Sequence, residues 1–552
     1  MNDFTKSCVY QIYPRSFQDT DGNGTGDING VTKRLDYLQA LGVDYIWMTP
    51  FFVSPQNDNG YDIEDYYRID PLFGTMEDLE RLIAEAEKRG IGLMFDMVFN
   101  HTSTAHAWFQ KALAGEKEYQ DYYYFREGMP GALPTNWISK FGGPAWEYVD
   151  GLGKYYLHLF DRTQADLNWG NPKVREEIKD VLRFWKGKGI RGFRFDVINL
   201  VSKPDVWEDD MEGDGRRFYT DGPRIHQYLR EMVEDTGLDE DDIITVGEMS
   251  STTVDHCIRY SRPESHELKM CFNFHHLKVD YKDGEKWALM PYDFKQLVKI
   301  FDTWQTAMAE HGGWNAVFWN NHDQPRAVSR FGDDKRYRQE SAKMLATVIH
   351  GMRGTPYIYQ GEEIGMTNAY FTEIGQYRDV ESIHYFEILK NEGLAEEEIY
   401  HILQERSRDN SRTPMQWTDG ENAGFTNGKP WIDVNGNCGE INVEKALADQ
   451  NSVFYYYKKL IALRKEREVI SKGAYLPMET GQEYVFGYRR RYQGEEVAVL
   501  ANFSDVERTV RLEDVKGWKV LIGNYADAAC DMTYGAGTVW LRAYEAVMLE
   551  KS

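Results

Sequence analysis

The feature that most narrows the choice of fold is a beat, in which short apolar runs suited to strands alternate with amphipathic stretches suited to helices. Strands are expected over 8–13, 43–48 and 91–98, with helices over 31–41 and 76–89 between them. The beat pauses over 101–171, a stretch rich in Gly, Pro, Trp and Tyr. It resumes with a helix over 174–188 and strands over 191–196, 243–247, 270–274, 316–320 and 356–360, with helices near 224–234, 294–310 and 339–351 between them. Strand, crossover helix, strand implies parallel pairing, and eight such strands are the count of a closed barrel whose reactive end is the carboxyl end of its strands.

At 552 residues the chain is too long for one ordinary core. The expected fold is α/β, a (β/α)8 TIM barrel with an inserted domain after strand 3 and a C-terminal antiparallel β-sandwich. The barrel takes 1–100 and 172–470, the insert 101–171 and the sandwich 471–552, where alternating strands separated by Gly and Asp turns replace the helix-strand beat. Asp and Glu number 89 against 64 Lys and Arg, a net charge of -25, which disfavours nucleic acid and anionic membranes as partners. No apolar run approaches the roughly 18 residues that cross a bilayer. The five cysteines (Cys8, Cys257, Cys271, Cys438, Cys530) are scattered and lack metal-ligand spacing, and the N-terminus has no basic-then-apolar leader. A cytoplasmic enzyme with free thiols, monomeric and acting on a small molecule, is the expectation.

Three carboxylates end apolar runs: Asp196 after Gly192-Phe193-Arg194-Phe195, Glu248 after Thr245-Val246-Gly247, and Asp323 after Asn320-Asn321-His322. Three acids at three strand ends suggest one shared site. Two carboxyl groups across a glycosidic bond, one ionised and one protonated, suffice for glycoside hydrolysis. Asp196, beside Arg194, should stay ionised and attack the anomeric carbon. Glu248, with no cation adjacent in sequence, is the better proton donor. Asp323 then remains to orient sugar hydroxyls, and His101 and His322 suit hydrogen bonds to the same hydroxyls as neutral imidazoles.

Asp96-Met97-Val98-Phe99-Asn100-His101, Gly192-Phe193-Arg194-Phe195-Asp196, Val246-Gly247-Glu248 and Asn321-His322-Asp323 resemble, in order and spacing, the four conserved regions of the α-amylase superfamily. The resemblance implies a retaining mechanism with Asp196 as nucleophile, Glu248 as acid then base and Asp323 as transition-state stabiliser. It also implies that Asp62, His101, Arg194, His322 and Arg412 line the pocket for the non-reducing glucose. Asp62 and Arg412 would clamp its far hydroxyl and favour exo attack.

Asn321-His322-Asp323-Gln324-Pro325-Arg326 and Arg412-Thr413-Pro414-Met415-Gln416-Trp417 are similar to the oligo-1,6-glucosidase-like branch. Val197, just after the nucleophile, resembles members that cleave linkages other than α-1,4. Phe272-Asn273-Phe274-His275-His276-Leu277-Lys278, with Gly284-Glu285-Lys286-Trp287 beyond it, resembles the subfamily that hydrolyses trehalose 6-phosphate to glucose and glucose 6-phosphate. His275, His276, Lys278 and Lys286 would form a phosphate patch in an otherwise acidic chain. The alternatives are a glucosidase for neutral isomalto-oligosaccharides and, from another class, a non-catalytic amylase-fold binding subunit. The complete acid trio and the absence of an anchor argue against the latter.

Asp19-Thr20-Asp21-Gly22-Asn23-Gly24-Thr25-Gly26-Asp27 copies the first nine positions of an EF-hand loop, although Gly30 stands where its bidentate glutamate would be. Relatives in the resembled branch bind structural Ca2+ here through residues matching Asp19, Asp21, Asn23, Asp27 and the Thr25 carbonyl. No metal is expected in the chemistry.

Overall fold

A computed structural model describes residues 3–512, 517–527 and 538–551. The chain divides into two compact units, one of residues 47–84 and 92–274 and the other of the remaining segments. Eight barrel strands follow the beat: β1 (Val9–Ile12), β2 (Tyr45–Met48), β3 (Gly92–Met97), β4 (Gly192–Phe195), β5 (Ile244–Glu248), β6 (Met270–Phe272), β7 (Ala316–Val317) and β8 (Thr355–Tyr359). They form one sheet in the order β6-β5-β4-β3-β2-β1-β8-β7. The pairs β3–β4, β4–β5, β5–β6, β1–β8 and β7–β8 run parallel. First beside last is the neighbour relation of a sheet curled into a barrel, so the (β/α)8 expectation holds. Every residue of β1, β2, β4 and β8 is buried, as strands covered on both faces require.

In the first unit the helix Pro172–Gly187 delivers the chain to β4. Asn171 caps its start by accepting from the Lys173 N–H, Pro172 occupies the first turn, and Val174, Ile178, Val181, Leu182 and Trp185 bury one face. Gly189, at φ 102°, turns the chain back towards the sheet. Within the expected insert, Phe125–Glu127, Lys154–Leu157 and Trp146–Val149 make a three-stranded antiparallel sheet with Lys154–Leu157 central. Trp137, Trp146, Tyr155 and Leu157 share an apolar cluster with Val197 and Leu200, so the insert packs on the segment just after Asp196.

Two elements of the second unit depart from the sequence expectation. The helix expected over 31–41 is two, Ile28–Lys33 and Leu35–Leu41, broken at Arg34, whose guanidinium turns to the Gln18 side-chain oxygen. The strand expected over 316–320 ends at Val317. Beyond it the Phe318 carbonyl accepts from the His276 ring, and the Asp323 N–H donates to the Asn321 side chain, so this backbone has left the ladder. At the C-terminus β9 (Ala474–Pro477), β10 (Val485–Tyr492), β11 (Glu495–Asn502), β13 (Trp518–Gly523) and β15 (Ala546–Lys551) form an antiparallel sheet in the order β9-β10-β11-β15-β13. β12 (Arg508–Arg511) pairs with β14 (Thr538–Leu541). Leu500 and Leu549 of the larger sheet share a core with Val510, Val539 and Leu541, which makes the arrangement a sandwich.

Cys8, Cys257, Cys271 and Cys438 are free thiols, and Cys530 lies outside the described residues. Among the described residues no helix is long and apolar enough to cross a membrane.

Gly192 opens β4 between two neighbours, and a Cβ there would lie 2.7 Å from the Met94 Cβ and 3.0 Å from the Ile244 Cγ2. Gly192→Ala should therefore lower unfolding free energy by about 1–3 kcal/mol in urea titrations. Turnover should fall as well, because Arg194 is displaced with the strand; an unchanged urea midpoint would contradict this packing.

Candidate active site

The register of β3, β4 and β5 builds the centre of the first unit. Arg194 pairs with Asp96 on one side and Val246 on the other. Because side chains repeat every second residue, Asp196 follows Arg194 on its face and Glu248 follows Val246 on its face. Arg194 Nη1 donates to Asp96 Oδ1 at 2.6 Å and to Asp196 Oδ1 at 2.7 Å, while Nη2 donates to Glu248 Oε2. Its guanidinium carbon lies 5.1 Å from the Trp47 ring and 5.9 Å from the Tyr61 ring. Burial opposes the charge on Arg194, but Asp96, Glu248 and Asp196 outweigh it and hold its pKa well above the usual arginine value.

One buried cation thus serves three carboxylates. Burial, with the Asp196 charge acting in the same direction, pushes Asp96 up to about 7 against the pull of Arg194. Asp96 also accepts from Trp47 Nε1 at 3.1 Å and from the Tyr61 hydroxyl at 3.0 Å. The expectation that Glu248 stands apart from any cation is corrected. Sequence adjacency gave Arg194 to Asp196 alone, whereas the parallel register brings the same guanidinium to Glu248.

The residue after Asp196 is strained. Val197 sits at φ 34°, ψ 39°, a left-handed conformation that a β-branched side chain adopts at a cost of about 1–2 kcal/mol. It turns the chain off β4 into the short helix Ile198–Leu200 and presents Asp196 at the strand end. Asp62 is fully buried and accepts from the Ser54 hydroxyl and from the backbone N–H groups of Asn57 and Asp58, and burial raises its pKa. Burial lowers the pKa of His101, favouring the neutral ring, whose Nε2 lies 3.1 Å from the Tyr61 carbonyl oxygen. Behind it Lys203 pairs with Asp166 at 2.7 Å and donates to Asn100 Oδ1, a buried support that no motif marked.

In the second unit Asp323 is held from three directions. Arg412 Nη2 reaches its Oδ1 at 2.7 Å, Arg408 Nη1 reaches the same oxygen at 3.3 Å, and His322 Nε2 faces Oδ2 at 3.2 Å. Gln11 donates to His322 Nδ1 at 2.7 Å, which leaves the ring proton on Nε2, facing Asp323. Arg412 also donates through Nε to the His322 carbonyl at 2.9 Å. Arg408 and Arg412 converge on Asp379, which is fully buried and whose carboxyl those cations hold well below the usual range despite burial. No role follows from sequence for Asp379 or Arg408, although Arg378-Asp379-Val380-Glu381-Ser382 resembles the same trehalose-6-phosphate subfamily. The acid-rich stretch Arg378-Asp379-Val380-Glu381 was the available signal.

The four-residue phosphate patch is not one patch. His275–Lys278 is a 3-10 turn, on which residues three apart eclipse, so His276 points away from the side shared by His275 and Lys278. His276 is buried among Phe301, Phe318 and Trp319, with Nε2 2.9 Å from the Phe318 carbonyl. Burial pushes its pKa down to about 3. It is a core histidine, and its assignment to phosphate is corrected on that ground. His275 lies half-buried against the Trp304 ring at 4.9 Å, and Lys278 is exposed. Lys286 pairs with Glu381 at 2.6 Å and lies 4.9 Å from the Trp287 ring.

The Gly-rich loop gathers Asp19, Asp21 and Asp27, one oxygen of each lying within 4.8 Å of the others. Asp19 Oδ1 accepts from the N–H groups of Asp21 and Gly22, and Gly24, at φ 90°, donates to Asp19 Oδ2. Asp27 caps the helix Ile28–Lys33. Asn23 Nδ2 donates to Asp21 Oδ2 and Asn23 Oδ1 accepts from the Thr25 N–H. This all-oxygen donor set fits a hard cation such as Ca2+.

A histidine kept neutral by burial takes up a proton on unfolding below its ordinary pKa near 6.5, so its contribution is present above pH 6.5 and is lost as pH falls towards 3. His276→Gln, which keeps a donor for the Phe318 carbonyl, should flatten the pH dependence of unfolding free energy between pH 5.5 and 4. The change should approach about 1.4 kcal/mol per pH unit. An unchanged slope in urea titrations would show that His276 ionises in the fold.

The model of the α-amylase catalytic domain matches residues 11–473. The trehalose-6-phosphate hydrolase of Bacillus subtilis is 55% identical over 548 residues, covering 98% of this chain and 97% of that one. An oligo-1,6-glucosidase of Parageobacillus thermoglucosidasius is 49% identical over 94% of each chain. A crystal structure of Bacillus licheniformis trehalose-6-phosphate hydrolase superposes with a TM-score of 0.95 at 54% identity, covering 100% of both chains. With its barrel order, its Arg194-centred carboxylates and these full-length likenesses, the chain belongs to the α-amylase family.

Proposed function

We propose that this chain is a retaining α-glycoside hydrolase that cleaves trehalose 6-phosphate to glucose and glucose 6-phosphate. The observation that carries the reaction class is the single guanidinium holding both Asp196 and Glu248. Carboxylates on adjacent nitrogens of one guanidinium are constrained to a short separation, compatible with the roughly 5–5.5 Å of a retaining pair. Likeness to trehalose-6-phosphate hydrolases over the whole chain selects the substrate.

Asp196 attacks the anomeric carbon as the glycosidic C–O bond breaks, and Glu248 delivers its proton to the departing sugar oxygen. Glu248, now a carboxylate, takes a proton from water, which attacks the same carbon and releases Asp196. Arg194 holds the Asp196 carboxyl in place. The role of Asp323, held by Arg408 and Arg412, is to bind sugar hydroxyls and oppose the positive charge that develops on the ring. Lys286 is the cation best suited to the phosphate, and it must exchange Glu381 for it. A glucosidase acting on neutral isomalto-oligosaccharides is the second reading, supported by the engagement of Lys286 and the burial of His276. Asp19, Asp21, Asn23, Asp27 and the Thr25 carbonyl would hold structural Ca2+, whose charge would offset the clustered carboxylates.

Hydrolysis of trehalose 6-phosphate, trehalose and isomaltose by the purified enzyme decides between the readings. The phosphorylated sugar should be strongly preferred, and Lys286→Ala should raise its KM about 10- to 100-fold, the loss of one charge-assisted contact. Comparable turnover of isomaltose would favour the neutral glucosidase. Adding Ca2+ to chelator-treated protein should raise Tm, and Asp21→Asn should diminish that rise; a Tm indifferent to Ca2+ would remove the ion from the account.

A further inference from the structure

The ionic array around Asp323 extends further than one ion pair needs. Arg408 donates to Asp379 Oδ1 through Nε at 2.9 Å and Nη2 at 2.5 Å, and to Asp323 Oδ1 through Nη1 at 3.3 Å. Glu381, in the first turn of the helix Val380–Asn391, places one oxygen, Oε2, 2.6 Å from Lys286 Nζ and 3.5 Å from Arg408 Nε. The three cations Lys286, Arg408 and Arg412 thus face the three carboxylates Asp323, Asp379 and Glu381. Asp409, also nearby, is engaged by the backbone N–H groups of Arg378 and Asp379. Glu381 is the member shared between the proposed phosphate lysine and the arginine of Asp323.

A carboxylate this enclosed, with a side chain 12% exposed, is costly to leave without a cation. If Lys286 loses its charge, the nearest replacement is Arg408, which already lies 3.5 Å from Glu381 and can approach it by giving up its 3.3 Å hydrogen bond to Asp323. We propose that Glu381 is a positioning residue: paired with Lys286 it leaves Arg408 on Asp323, and deprived of Lys286 it draws Arg408 off. Lys286 therefore acts on Asp323 even when the substrate carries no phosphate. The inference rests on the hydrolase reading, in which Asp323 serves the reacting sugar.

The test uses p-nitrophenyl α-D-glucopyranoside, a neutral substrate, with the full-length enzyme. Lys286→Ala should lower kcat on it about tenfold or more with KM changed less than threefold. Adding Glu381→Gln to that variant should restore most of the kcat, because the unpaired charge that pulls on Arg408 is gone. A purely phosphate-binding lysine would leave kcat on this substrate unchanged in Lys286→Ala, and that result, or no recovery in the double variant, overturns the proposal. Lys286→Met, which keeps the stem packed on Trp287, provides the same comparison if the alanine variant fails to fold. Trehalose 6-phosphate turnover by the unsubstituted enzyme is measured separately. Lack of preference there would overturn the substrate reading while the positioning role of Glu381 still stood or fell on the neutral substrate.

Discussion

Everything in the first unit's site depends on one buried arginine. Arg194 is enclosed by Trp47, Tyr61 and three carboxylates, and its charge is what allows acids to exist at the end of a buried sheet. A lone carboxylate there would take a proton, and three would repel one another. With one cation among three acids, the environment keeps Asp196 beside the guanidinium while burial raises Asp96 towards neutrality. Raising Asp96 relieves the repulsion among acids that share one counter-charge, as counting charges in a low dielectric requires.

The second unit solves a related problem with several cations. Around Asp323 two arginines are braced by the buried Asp379, and Glu381 extends the array to Lys286. Because Asp379 also caps the helix Val380–Asn391 by accepting from the Glu381 and Ser382 N–H groups, the array is anchored to a rigid element. A side chain that binds arginines and caps a helix has little freedom, which suits a brace for a substrate-binding acid.

The phosphate patch shows how a correct residue type can mislead. The four residues of the expected patch lie within twelve positions, but only three are on the 3-10 turn and one of those, His276, enters an aromatic cluster as a neutral ring. The charge of the neighbouring Asp280, which a local reading pairs with these residues, is instead met by Arg330 and Arg406 from distant segments. Balance of charge in a folded chain is decided by proximity in space, and sequence windows do not measure it.

Much was legible before the structure. The strand-helix beat determined the barrel because period-two and period-3.6 burial are local, and the three acids were visible because a carboxylate ending an apolar run has no packing reason to be there. The strained Val197, the buried Lys203–Asp166 pair, the sharing of Arg194 by Glu248 and the Asp379 brace were not legible. Each depends on the register between strands or on contacts between residues tens of positions apart. The sequence by itself determined which chemical groups were present and which elements carried them. Only the tertiary structure decided which charge faced which, because burial makes an ion's nearest neighbour, rather than its neighbour in the chain, set its energy.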